Sequence, residues 1–161
     1  MNITTKPHYG IRALLEIAKA EENEGILQKE IAINQQLPNK YLDHIIRELK
    51  AAKIICNYGR KKSGYRLSTP ASEITIYMIF RAFEPELCLV DCVDCENSTC
   101  PRAKELCPTQ PLWQELNKRM MNFMKLVTLQ DLIDGKDFST IRVYKEVEGK
   151  MVDAVLEEVL L

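Results

Sequence analysis

Two short amphipathic stretches joined by a tight turn, and directly after them two β-prone runs around a basic tip, limit what this chain can fold into more than anything else in it. Ile31 and Ala32 mark the inner side of a first stretch over 28–35, and Leu37-Pro38-Asn39 turns the chain. Tyr41, Leu42, Ile45, Ile46 and Leu49 then recur at helical spacing, with Lys40, Asp43, His44, Arg47 and Lys50 on much of the other side. Ile54-Ile55-Cys56-Asn57-Tyr58 and Gly64-Tyr65-Arg66-Leu67-Ser68 flank the polar connection Gly59-Arg60-Lys61-Lys62-Ser63, which reads as a hairpin. Helix, turn, helix and charged hairpin in that order predict a winged helix-turn-helix, in which the second helix enters the major groove and the wing tip reaches backbone or minor groove.

Charge agrees with this reading. The chain of 161 residues carries a net charge of −1, yet the stretch from Lys40 to Arg66 holds eight basic and two acidic residues, +6, which leaves −7 for the rest. Such an asymmetry is the footprint of a surface that meets phosphates, although a solvated basic face also produces it.

The rest of the chain frames this unit. Ile11, Leu14, Leu15, Ile17 and Ala18 predict a first helix from Lys6 to about Glu21, with Thr4 and Thr5 as candidate caps. A further helix is predicted over Glu73 to Phe83, stopped by Pro85. From Leu112 to Ile133 a single long helix is expected, because Trp113, Leu116, Met120, Phe123 and Val127 alternate three and four apart, the spacing of a helix that packs along another. Met121, Met124, Leu126 and Leu129 widen that surface, so both the body of the protein and a second subunit are expected against it. Ile141 to Val147 alternates weakly like a strand, and Val152, Val155, Leu156, Val159 and Leu160 read as a short amphipathic helix. The fold class is therefore mainly α with a small β-hairpin wing. Its units are a winged helix-turn-helix over 1–86, a cysteine-rich loop over 87–111, a dimerisation helix over 112–134 and an extension over 135–161 to which the sequence assigns no role.

Five of the six cysteines, Cys88, Cys92, Cys95, Cys100 and Cys107, fall within twenty residues. No run approaches the ~18 apolar residues of a membrane span, and the opening residues lack the layout of a secretory signal, so the chain is expected in the cytoplasm. In a reducing compartment, clustered cysteines read as metal ligation or redox chemistry before they read as a disulfide framework. Cys92-x2-Cys95-x4-Cys100-x6-Cys107 supplies four thiolates on a proline-stiffened loop, a set that suits an iron–sulphur cluster, of the [2Fe-2S] or [4Fe-4S] type. Zinc accepts the same four thiolates in a closed tetrahedral site and is the alternative. Cys56, in the first wing strand, reads as a small buried apolar residue. No Ser/His/Asp constellation or phosphate loop is present, and two histidines give poor scope for general-base chemistry, so no enzyme is expected.

Four blocks in constant order resemble the Rrf-type winged-helix transcription regulators, the group that includes the iron–sulphur regulator IscR, the nitric-oxide sensor NsrR and the cysteine-metabolism repressor CymR. They are Thr4-Thr5-Lys6-Pro7-His8-Tyr9-Gly10, Leu37-Pro38-Asn39-Lys40-Tyr41-Leu42, Gly64-Tyr65-Arg66-Leu67 and Cys107-Pro108-Thr109-Gln110-Pro111-Leu112-Trp113, and the resemblance covers roughly residues 1–133. It implies a homodimer that binds double-stranded DNA at a roughly palindromic operator, and in cluster-binding members three loop cysteines with one further ligand. Cys100 and Cys107 are implied as ligands, and the first of the three is Cys92 or Cys95. IscR places a histidine ligand three residues after the last cysteine, where this chain has Gln110. The resemblance offers His8 in its stead, at the position where NsrR-like relatives donate a ligand from the partner subunit; the alternative for His8 is a surface histidine near the DNA backbone.

The candidate DNA contacts are Asn39, Lys40, Tyr41, Asp43, His44 and Arg47 on the recognition helix and Arg60, Lys61 and Lys62 on the wing. Tyr41 also fits a core position with its hydroxyl outward. The expected function is a transcriptional regulator, in the manner of a repressor, that senses iron–sulphur, nitric-oxide or redox status. A zinc- or thiol-based regulator without a cluster, or an interaction module that has lost operator binding, is the alternative.

Overall fold

The computed structural model describes residues 4–20, 25–58, 64–85, 87–90, 93, 107–140, 145–147 and 150–152. Helix α1 (Thr5–Lys19) is followed by a two-residue strand β1 (Ile26–Leu27), by α2 (Gln28–Asn34) and by α3 (Asn39–Ala51). Strands β2 (Ile55–Tyr58) and β3 (Gly64–Leu67) pair antiparallel, with Ile55 opposite Leu67 and Tyr58 opposite Gly64. Strand β1 adds to the free side of β3, so the sheet has the order β1-β3-β2 and three strands where the sequence predicts a hairpin. Two residues carry no alternation, which is why β1 is invisible to periodicity.

The core forms because each helix presents one apolar stripe inward. Leu14 and Ile17 of α1, Ile31 of α2, and Leu42, Ile45, Ile46 and Leu49 of α3 are at most 2% exposed. The turn between α2 and α3 places Gln36 at φ 53°, a left-handed conformation that a non-glycine residue adopts at some cost. Leu37 then drops into the core, its amide donating to the Ala32 carbonyl at 2.9 Å. Helix α4 (Ile76–Phe83) packs on α1 so tightly that a Cβ at Gly10 would lie 2.5 Å from the Phe83 ring. Only glycine permits that approach.

The expected single helix over 112–133 is two. Helix α5 (Gln110–Leu126) ends at Val127, and α6 (Leu129–Ile133) starts afresh behind Thr128. Thr128 Oγ1 accepts from the Asp131 amide at 3.2 Å, and the Asp131 carboxylate accepts from the Thr128 amide at 2.9 Å, a reciprocal cap that begins a new helix. The break returns the chain to the winged-helix core. Thr75 and Thr128 form a β-bridge, Ile76 N–H donates to the Val127 carbonyl, and Leu129 N–H donates to the Ile74 carbonyl at 2.8 Å. Val127 and Leu129 are buried, Leu129 completely. Thus α6, assigned by sequence to the dimerisation helix, belongs to the body.

Beyond it lie a 3₁₀ turn (Phe138–Thr140) and β4 (Lys145–Val147), which falls at the end of the strand expected over Ile141 to Val147 and pairs antiparallel with β5 (Lys150–Val152); residues 141–144 lie outside the described residues. Val152, the first position of the expected amphipathic helix, lies instead in β5, paired with Lys145, and Val155, Leu156, Val159 and Leu160 lie outside the described residues.

Candidate nucleic-acid interface and cysteine segment

Helix α3 carries most of the candidate DNA contacts. Lys40, Asp43, His44 and Arg47 follow one another at i, i+3, i+4 and i+7, so a 3.6-residue period lines them along one stripe, and all four are exposed, as is Asn39 at the helix start. Their common orientation follows from burial of Leu42, Ile45, Ile46 and Leu49 on the opposite side. Three members of the stripe touch. The Arg47 guanidinium donates through Nη2 to His44 Nδ1 at 3.0 Å and through Nε to the Asp43 carbonyl at 3.4 Å, and Nη2 lies 3.1 Å from Asp43 Oδ2 as an ion pair.

Tyr41 is turned elsewhere. It is half-buried against α1, its ring edge-on to Tyr9 at 5.6 Å and its hydroxyl 2.8 Å from Thr5 Oγ1. Tyr41 thereby fastens the first turn of α1 to the first turn of α3 and occupies the core-edge position that the sequence leaves as its alternative.

Gln28, which sequence reasoning did not single out, latches the wing to the recognition helix. Its side-chain Oε1 accepts from the Tyr65 hydroxyl at 3.3 Å, and its Nε2 donates to the Asn39 carbonyl at 3.4 Å. Burial and the nearby Asp43 carboxylate push the Tyr65 hydroxyl above its ordinary pKa, so it remains a donor. On the outer side of the wing Arg66 lies over the Tyr58 ring at 4.8 Å, cross-strand from Cys56, which is half-buried. Arg60, Lys61 and Lys62 lie outside the described residues.

Helix α2 is fixed to α1 by a second set of contacts. Arg12 donates to the Gln35 side chain at 2.7 Å and to its carbonyl at 2.9 Å, while Glu16 accepts from Asn34 and Gln35, each at 2.9 Å. Burial opposes ionisation of Glu16, yet these hydrogen bonds and the charge of Lys19 outweigh it and hold the carboxyl below its ordinary value.

Of the candidate metal ligands, Cys92, Cys95 and Cys100 lie outside the described residues. Cys107 is half-buried just ahead of α5, its carbonyl accepting from the Gln110 amide at 3.1 Å and its sulfur 3.3 Å from Thr109 Oγ1. His8 is exposed in the first turn of α1, edge-on to Tyr9 at 5.2 Å. Among the described residues no group of three or more His, Cys, Asp or Glu side chains gathers into a metal site. The start of the cysteine segment is nonetheless anchored: Leu89 N–H donates to Asn117 Oδ1 at 3.2 Å, and Val93 is 1% exposed. Cys88 is engaged in a disulfide. No helix among the described residues is long and apolar enough to cross a membrane.

Comparison with known proteins identifies the assembly. Residues 3–135 match the Rrf2 family, described as iron-dependent transcriptional regulators. The chain belongs to the Rrf2 family. Among its relatives is the protein rrf2 of Nitratidesulfovibrio vulgaris, 35% identical over 133 residues, which cover 83% of this chain and 87% of that one. The HTH-type transcriptional regulator IscR of Pectobacterium atrosepticum is 25% identical over 137 residues, 85% of this chain and 82% of the other. Among solved structures, CymR, the global cysteine regulator of B. subtilis, superposes with a TM-score of 0.66 at 26% identity, covering 85% of this chain and 99% of CymR. As a member of the Rrf2 family the chain is a DNA-binding transcriptional regulator of winged-helix fold and not an enzyme.

Proposed function

We propose that this Rrf2-family chain acts as a homodimer on a roughly palindromic operator in the cytoplasm, as a repressor whose affinity is set by iron–sulphur, nitric-oxide or redox status through a cysteine-ligated cluster. The observation that carries the reading is helix α5. It begins three residues after Cys107 and runs for 17 residues, of which only Asn117 is buried, while Leu112, Leu116 and Leu126 are 58%, 42% and 48% exposed. An apolar stripe so open calls for a second helix, and two-fold pairing of α5 would set two recognition helices at a fixed spacing, as a palindrome requires.

The donor chemistry fits an iron–sulphur cluster, since the cysteine segment offers thiolates and Cys107 sits beside a hydroxyl at a helix start, where negative charge is favoured. Cys100, Cys107 and either Cys92 or Cys95 would hold the group, with His8 as the candidate fourth ligand from a second subunit. When bound, the cluster supplies an electron-transfer and nitric-oxide-reactive centre. The chain's own part is to transmit order. Asn117 ties the segment's start to α5, and the Thr75–Thr128 bridge ties the end of α5 to the winged-helix body. Order gained or lost in the segment thus has a covalent and hydrogen-bonded route to the spacing of the α3 helices.

The disulfide at Cys88 favours a second reading, in which the segment responds through its thiols alone or with zinc. Anaerobic purification with iron and acid-labile sulphide analysis, followed by gel shift on the chain's own promoter region, separates the two. Brown protein whose operator affinity changes on loss of iron supports the cluster reading. Colourless protein with stoichiometric zinc, or affinity that follows reduction of disulfides only, contradicts it.

A further inference from the structure

The contacts around Arg47 define what kind of base this recognition helix reads, an inference that rests on the operator-binding reading above. A guanidinium has five N–H donors and no acceptor. One Nη2 hydrogen is engaged by His44 Nδ1, Asp43 Oδ2 forms an ion pair with the same nitrogen, and the Nε hydrogen faces the Asp43 carbonyl. The two hydrogens on Nη1 have no partner among the described residues. Because arginine can only donate, His44 Nδ1 must accept, so the imidazole carries its proton on Nε2 and presents that N–H as a further donor.

Each contact is weak alone. The Asp43–Arg47 pair is an i,i+4 ion pair with side chains 53% and 62% exposed, and solvent screening leaves such pairs little effect on stability. Their effect is orientational. A free arginine gives up rotamer entropy when it is fixed on a base, and here two flanking side chains have already restricted it. The Asp43 carboxylate, otherwise repulsive toward DNA, is at the same time neutralised by its partner.

A single nitrogen offering two hydrogens matches two adjacent acceptors. In the major groove guanine alone provides them, O6 beside N7, whereas adenine sets a donor beside N7, thymine shows one acceptor and cytosine a donor. We infer that Arg47 is the specificity-determining residue of this helix, reading a guanine in each operator half-site through Nη1, with Asp43 and His44 as the positioning residues that hold it.

The test begins with duplexes selected by the wild-type dimer from a random-sequence pool. Binding is then measured on the selected duplex and on its single-base-pair variants, across a salt series. At one guanine per half-site, any other base lowers wild-type affinity roughly 10- to 100-fold. Arg47→Ala levels the four base pairs at that position alone. His44→Gln, which keeps an acceptor for Nη2, retains the preference, and His44→Ala weakens it. Should Arg47→Ala instead weaken all duplexes equally and lower the salt slope by about one, Arg47 is a phosphate contact and the inference fails while operator reading stands. A pool that yields no preferred duplex overturns the operator reading and this inference with it.

Discussion

The inward-facing residues of α1 and α3, among them Leu14, Ile17, Leu42, Ile45 and Leu49, are at most 2% exposed, whereas the longer α5 buries only Asn117 and leaves Leu112, Leu116 and Leu126 between 42% and 58% exposed. Both regions carry an apolar stripe in sequence. In the body the stripes meet one another, and α6 returns to close the last gap with Leu129. In α5 the stripe lies against α4 on one side and is left open on the other. If α5 pairs as proposed, a folded body and an open helix in one chain divide two kinds of free energy: the first belongs to a single chain, the second to an assembly.

That division can be broken experimentally. The largest expected effect is Leu42→Ala, which empties a fully buried position in α3 and should lower unfolding stability by about 2–5 kcal/mol in denaturant titrations, with most of the loss persisting at any protein concentration. Leu116→Glu acts on the other region. It should weaken self-association by about 2 kcal/mol, some thirtyfold, as read by sedimentation, while the dilute single chain melts like the wild type. If Leu116→Glu unfolds the body, the two regions are one cooperative unit and the comparison fails.

Thr128→Ala sharpens the boundary between them. Loss of its cap on α6 should cost about 1 kcal/mol of body stability and leave dimerisation unchanged, which differential scanning calorimetry at two protein concentrations would show. The smallest effect concerns acid. The folded Glu16 carboxyl lies below its ordinary value, so its ionisation stabilises the fold above the ordinary carboxylate range and this contribution is lost as pH falls through the folded value. Urea midpoints of Glu16→Gln should therefore fall less than those of the wild type on acidification below about pH 4.3; equal slopes would remove Glu16 from the α1–α2 clamp.

Legibility in sequence followed the same division. The stripes of α1, α3 and α4 were readable because burial on one side and solvent on the other enforce a period, and the α3 stripe of Lys40, Asp43, His44 and Arg47 was readable for the same reason. The end of α5 was not, because Val127 keeps the heptad spacing while its backbone leaves the helix. The usable signal was Thr128 three residues before Asp131, the two partners of a cap. Strand β1 is too short to show a period, and the Gln28 latch unites residues far apart in the chain. Tyr41 illustrates the limit for sites: its place in the second helix fits a groove contact, and only the packing of α1 turns it toward Thr5 and Tyr9. The three-way contact at Arg47 was implicit in the i+3 and i+4 spacing, but its donor count required the geometry.

Sedimentation equilibrium of the wild-type chain, prepared without oxygen and examined with and without a two-half-site duplex, tests the open face of α5 most directly. Twice the mass of a single chain, with one such pair on each duplex, is the predicted result. A single-chain mass at every concentration, on and off the DNA, would contradict it.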